Sequence, residues 1–190
     1  MASPLRSKLP ATYQDLCRVP AHQVAELLGG DLHVSPRPAA PHAIASSALQ
    51  TEVGSTFHFG RGGPGGWWIL TEPELHFLDD VLVPDLAGWR RQRMPEKPTG
   101  AYFTLAPDWI CEVVSPGTAR LDRVLKLPVY AREGVGHAWL VDPLERTLEV
   151  FRLESGGWRL AGAYGDDALV RAEPFEACEL DLLHLWGESR

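Results

Sequence analysis

The stretch Ala106-Pro107-Asp108-Trp109-Ile110-Cys111-Glu112-Val113-Val114-Ser115-Pro116, continued through Gly117-Thr118 to Tyr130, decides how the rest of the chain is read. A short apolar strand carries one acid, Glu112, at its middle. A Ser115-Pro116-Gly117-Thr118 turn follows, and then a basic helix from about Ala119 to Glu133 in which Lys126 stands among apolar residues. A carboxylate in apolar company needs a cation, a metal or a proton. Upstream, Val81-Leu82-Val83-Pro84-Asp85-Leu86 repeats the pattern of an apolar strand with one acid. Asp85, Glu112 and Lys126 are therefore the first candidates for a single metal site.

Side chains alternate along a strand, so Trp109, Cys111 and Val113 face one way and Asp108, Ile110, Glu112 and Val114 the other. Asp108 shares the Glu112 face, but it follows a proline at the strand's start, where a cap or turn competes with chemistry. For Glu112 the competing reading is a buried acid paired with an arginine. For Lys126 it is an ordinary cation on a helix surface. Pro128, inside the same helix, predicts a kink or break close to Lys126.

Outward from this centre the chain punctuates itself. Thr12 to Cys17 predicts a short helix with Thr12 as N-cap and Asp15 completing an approximate capping box. Val24–Leu28 and Asp31–Ser35 flank Gly29-Gly30, a hairpin signal, and place Glu26 in a strand. His42 to about Phe57 has helical spacing. Gly60 to Gly66 is glycine-rich but lacks the ending of a phosphate loop, and reads as a flexible connection. Trp67–Thr71, Glu74–Leu78 and Val81–Leu86 predict a meander with Asp79-Asp80 at a turn, and Trp89–Thr104 a basic, proline-containing loop. A strand over His137–Val141 follows the central helix. A hairpin of Thr147–Leu153 and Trp158–Tyr164, a strand near Phe175–Leu180 and a turn of helix over Asp181–Trp186 close the chain. The class is mixed α/β, with a largely antiparallel central sheet, a strand–helix–strand crossover, and N-terminal and C-terminal hairpins.

The 190 residues are 45% apolar and 23% charged, the balance of a globular protein. They are expected to form one domain over 1–190, with 1–10 a loose arm. No apolar run has the length of a membrane span, and the N-terminus lacks a signal-peptide core. Cys17, Cys111 and Cys178 are dispersed, which argues against a disulfide framework or a structural zinc and suggests a reducing cytoplasm. The formal net charge of −7 disfavours generic binding to a polyanion. Basic residues do gather at Arg90, Arg91, Arg93 and Lys97, and at Arg120, Arg123, Lys126 and Arg132, either as solvated charges or as a local field. The seven histidines show no ligand spacing, and there is no HExxH or GxSxG, so zinc and serine hydrolases are disfavoured. Two carboxylates would suit a glycosidase, but nothing suggests a sugar cleft.

The run PDWICEVVSPGT, then Asp122, Lys126, Tyr130, Gly134-Val135 and Ala138-Trp139-Leu140-Val141-Asp142-Pro143, resembles the bacterial Uma family of restriction-endonuclease-like proteins, in the PD-(D/E)XK nuclease superfamily. The similarity extends to Val83-Pro84-Asp85-Leu86, to His42, to the Ala25–Leu32 hairpin and to the C-terminal segments. The resemblance implies a restriction-endonuclease-like core and a metal-dependent DNA endonuclease. Asp85, ending the second core strand, and Glu112, in the third, would be the catalytic acids and the metal ligands. The superfamily lysine would stand at Val114, which cannot serve, so Lys126 resembles a lysine migrated to the helix. Mg²⁺ is the implied cofactor, with Mn²⁺ able to substitute. Read from the residues alone, Glu26, Glu72 and Asp108 are candidate accessory acids, each with a structural role as the competing reading. Arg90, Arg91, Arg93, Lys97 and Arg123 would contact the DNA backbone, and cutting both strands would suit a homodimer. Val114 and the acidic charge favour the alternative, a catalytically inactive module of the same fold that binds nucleic acid or protein.

Overall fold

Thr12 Oγ1 accepts from the Asp15 amide at 3.3 Å while Asp15 Oδ2 accepts from the Thr12 amide at 2.9 Å, closing the capping box that starts α1 (Tyr13–Leu16). β1 (Gln23–Leu28) and β2 (Asp31–Pro36) then form the expected hairpin, pairing through Leu28 and Asp31. Its two loop residues, Gly29 and Gly30, take φ of +59° and +84°, as a tight primed turn demands. The computed structural model describes residues 9–190, so residues 1–8 of the expected N-terminal arm lie outside the described residues.

α2 (Ala40–Val53) runs on into a wider helical turn over Gly54–His58. β3 (Trp67–Thr71), β4 (Leu75–Phe77), β5 (Asp80–Leu82), β6 (Leu86–Arg90) and β7 (Trp109–Val113) follow. The crossover consists of α3 (Ala119–Leu121), a π-type turn over Asp122–Lys126 and α4 (Leu127–Arg132). β8 (His137–Asp142), β9 (Thr147–Glu154), β10 (Gly157–Gly165), β11 (Leu169–Val170), β12 (Leu180–Asp181) and α5 (Leu182–Leu185) complete the chain. None of the described helices is long and apolar enough to cross a membrane.

Six strands form the main sheet in the order β10-β9-β8-β7-β6-β3, and four more form a second sheet, β2-β1-β5-β4. Within the main sheet β7 and β8 are parallel, bridged by the crossover, and the other neighbours are antiparallel. The fold is thus mixed α and β with a largely antiparallel sheet, as the sequence predicts. The alternation in β7 also holds. Trp109, Cys111 and Val113 enter a core shared with Leu49 and Val53 of α2, and Ile110 and Val114 enter one shared with Leu127 and Tyr130.

Four local expectations need correcting. Val81–Leu86 is not one strand: β5 ends at Leu82, and after Val83-Pro84 the chain enters the other sheet as β6. Proline has no N–H for a ladder, so a break there is physically sensible. The meander is accordingly split, with β3 in the main sheet and β4–β5 in the second. The segment expected to loop from Trp89 begins instead inside β6, where Gly88 concealed the strand. Phe175–Leu180 is mostly turn, and only Leu180–Asp181 pairs, with Leu169–Val170. Phe175 is apolar for another reason: it packs its ring against Phe57, Trp67, Trp109 and Trp139.

Candidate active site

The β6–β7 register places two acids together. Leu86 pairs with Cys111 and Ala87 with Ile110, so one step back along β6 sets Asp85 opposite Glu112. Directly opposed side chains share a face, with Cβ atoms about 4.5–5.5 Å apart. Asp85 therefore stands immediately before β6 rather than ending a strand. Two hydrogen bonds fix it there: its Oδ2 accepts from the Val113 amide at 2.7 Å, and its carbonyl accepts from the Glu72 amide at 3.0 Å. Glu72, Asp85 and Glu112 are thus aligned across three adjacent chain segments.

The crossover brings a cation to the same place. Asp122, Lys126 and Tyr130 are spaced at i, i+4 and i+8. In the π-type turn the Leu127 amide reaches back to the Asp122 carbonyl, five residues earlier. Pro128 follows immediately and lacks an N–H, so the helix passes the proline by widening rather than breaking. Lys126 Nζ donates to Glu112 Oε2 at 2.9 Å and to the Val83 carbonyl at 3.3 Å, and lies 2.9 Å from Glu26 Oε1 and 3.7 Å from Asp122 Oδ1. Tyr130 donates to Glu112 Oε1 at 2.7 Å. Glu26 Oε1 in turn accepts from the Val83 amide at 2.8 Å, tying the second sheet to the site.

Charge is unbalanced in this cluster. Glu26, Glu112 and Asp122 converge on one lysine, and Asp85 beside them has His42 Nε2 3.1 Å from its Oδ1. Burial pushes the Glu112 carboxyl well above its usual range; Lys126 pulls it back, but Asp122, Asp85 and Glu26 push it further up. Burial, opposed by Lys126, leaves Asp122 raised to about 6. Burial alone would lower Lys126, but Glu112, Glu26 and Asp122 more than reverse that, so it stays charged. Burial also lowers His42, and its hydrogen bond and attraction to Asp85 reverse the sign.

Glu26, His42, Asp85, Glu112, Asp122 and Lys126 all line one cleft of about 420 Å³. Glu72 lines it too, half exposed and 3.6 Å from Arg37. Asp108 does not. It accepts from the Arg90 amide at 2.8 Å and pairs with Arg93 at 3.0 Å, a structural link between loop and strand. Arg90, Arg91, Arg93, Lys97 and Arg123 also lie outside the lining. Arg91 donates to the Trp67 and His58 carbonyls and stacks over Trp68, Arg90 stacks over Trp67, and Arg123 pairs with Glu149. Lys97 is exposed. Sequence reasoning left His42, Asp122 and Tyr130 out of the candidate site, although the four-residue spacing of the last two with Lys126 was a usable signal.

No group of three or more His, Cys, Asp or Glu side chains among the described residues is arranged to hold a metal. The chemistry of the donor set nevertheless fits a hard dication. Mg²⁺ takes one or two carboxylates and completes its shell with waters and substrate oxygens, and Asp85 and Glu112 are such a pair.

A family model described as "Uma2: Putative restriction endonuclease" matches residues 10–183. Among solved structures, one from Anabaena variabilis, described as a putative nuclease belonging to DUF820, is similar with a TM-score of 0.75 at 23% identity. The match covers 94% of this chain and 98% of that one, and at this identity it speaks to the fold. No curated protein matches.

Proposed function

This chain belongs to the Uma2 family, and we propose that it is a metal-dependent endonuclease that hydrolyses DNA phosphodiesters in the cleft between β1, β7 and the crossover. The observation that carries the reading is the convergence of Asp85 and Glu112 across β6 and β7, with Lys126 2.9 Å from Glu112. Asp85 and Glu112 would hold Mg²⁺, or Mn²⁺ in its place. The bound ion would supply a water of lowered pKa and screen the charge that builds on the phosphorus oxygens.

The chain's own groups have separable tasks. Lys126 stays charged and, once a second cation shares the acids, can turn a donor toward the non-bridging oxygens of the phosphate. It thereby does the work that Val114, packed in the core, cannot. Tyr130 fixes one oxygen of Glu112, while the Val113 amide and His42 fix the two oxygens of Asp85. Excess carboxylate explains why a polyanion would be repelled until a dication arrives, so DNA binding should itself depend on metal. Outside the cleft, Arg93, Lys97 and Arg123 would meet flanking phosphates, which supply affinity without choosing sequence. Arg93 and Arg123 each hold one acid but keep further N–H donors.

The test is incubation of plasmid DNA with purified protein in Mg²⁺ or Mn²⁺, beside Asp85→Ala and Glu112→Ala. Nicking by wild type that falls at least about a hundredfold in both variants is expected, since each removes a transition-state interaction worth roughly 3 kcal/mol or more. Equal nicking by all three sinks the catalytic reading and leaves the inactive module, and so does an uncut plasmid together with an uncut single-stranded oligonucleotide under the same conditions.

A further inference from the structure

The depth of the site restricts what can reach it. At the cleft floor Glu112 is 2% exposed, Lys126 and Asp122 3% each and Glu26 5%. One wall is β1–β2 with the Pro36–Pro38 segment, and the other is the Pro116–Thr118 turn with Pro143-Leu144. The space within the cleft, about 420 Å³, lies near the lower end of the roughly 300–1,000 Å³ typical of pockets that admit one small ligand. Prolines on both walls hold the backbone stiff.

Charge gives an independent constraint. Among the described residues, Arg37 and Lys126 are the only lysine and arginine that line the cleft, and each already has an acid partner. Gripping a duplex means neutralising several phosphates at once, and these walls offer no row of cations to do it. A duplex also carries its phosphates on a stiff, convex surface, with the stacked bases and second strand behind them. No such surface can follow a phosphate down to side chains this deeply buried without prising the walls apart. An unpaired strand bends through single bonds and can bring one phosphodiester in with a nucleotide on either side.

We infer that the cleft takes an unpaired nucleic-acid strand, such as single-stranded DNA, a flap or a frayed end, and not an intact duplex. This rests on the nuclease reading above and narrows its substrate. Among the described residues the lining contains no Phe, Tyr or Trp, so they offer none of the aromatic stacking platforms of many single-strand binders. Cleavage should therefore depend on strandedness and little on base identity.

The experiment uses wild-type protein with Mn²⁺ and end-labelled DNA of one sequence in three forms: single-stranded, blunt duplex, and duplex with a single-stranded flap. Opening a paired step costs a few kcal/mol, so the single strand and the flap should be cut at least roughly tenfold faster than the blunt duplex. Flap products should map to the unpaired arm. Blunt duplex cut as fast as single strand overturns the inference and leaves the nuclease reading standing. Cleavage of none of the three overturns both. A Val34→Trp variant adds a check. Val34 lines the cleft at 44% exposure, so a larger side chain should be tolerated by the fold. Its Tm should match wild type while single-strand cleavage falls; unchanged cleavage would show that the strand does not enter here.

Discussion

Lys126 and Glu112, fourteen residues apart on a helix and a strand, meet as a buried ion pair at 2.9 Å. The strand position two residues after the acid is a valine committed to the core, so the cation arrives from the crossover helix packed over that face. That arrangement makes the same residue a structural counter-ion and a candidate for chemistry.

Lys126→Met should be costly for stability. Removing one partner of a buried pair typically costs about 3–5 kcal/mol, because the remaining charge is stranded. Here Glu26, Glu112 and Asp122 would all lose their cation. Urea denaturation at neutral pH should show the loss, and the loss should shrink on acidification as the acids take up protons. Unchanged stability at neutral pH would mean that the pair does not persist in solution.

The residues that carry strong local signals were the legible ones. An acid in mid-strand and a lysine in an apolar helix stand out because burial makes both expensive, and both proved to be buried and paired. The Asp85–Glu112 pairing was harder to read. It depends on β6, whose Ala87-Gly88 core has neither β-branching nor clear alternation, and on a sheet change at Pro84 that resembles a continuous strand. His42 was not legible as a partner of Asp85, because its helix packs on the other face of the sheet and only its first turn reaches the strand end.

Asp122 predicts a pH dependence. Its folded-state pKa is raised to about 6 from 3.8, so the folded protein binds this proton more tightly than the unfolded chain does. The resulting stabilisation is fully present below the unfolded value and is lost as pH rises through about 6. At roughly 1.4 kcal/mol per unit it amounts to at most about 3 kcal/mol. Asp122→Asn should remove this part of the slope between about pH 4 and 6 and leave the metal-free protein more stable above it. A variant with the wild-type slope would show that Asp122 is not the group titrating.

Gly88 is a packing requirement in β6. A Cβ there would stand 2.9 Å from Ile69 Cδ1 and 3.2 Å from ring carbons of both Trp67 and Trp109. Two indole rings in a full core cannot retreat easily, so Gly88→Ala should lower stability by about 1–3 kcal/mol. Because β6 sets Asp85 opposite Glu112, the same substitution should weaken Mn²⁺ binding measured by calorimetry at a temperature where the variant is folded. A Tm within a degree or so of wild type would contradict the tight packing.

His42 should act as a positioning residue. Its Nε2 lies 3.1 Å from Asp85 Oδ1 while the Val113 amide holds Oδ2, so the carboxylate is oriented from both sides. Outer partners of ligating carboxylates typically contribute 10- to 100-fold in metal affinity, so His42→Ala should weaken Mn²⁺ binding by about that factor. The loss must be separated from general damage to the fold. His42 sits in the first turn of α2, one turn before the buried Ala45, Leu49 and Val53 that anchor the helix, and is not itself part of that core, so the Tm of the metal-free variant should change little. Calorimetric titration of Mn²⁺ beside a thermal melt distinguishes the cases: weaker binding with an unchanged melt supports positioning, and unchanged binding refutes it. His42→Gln, which keeps a donor near the carboxylate, should recover part of the affinity that His42→Ala loses.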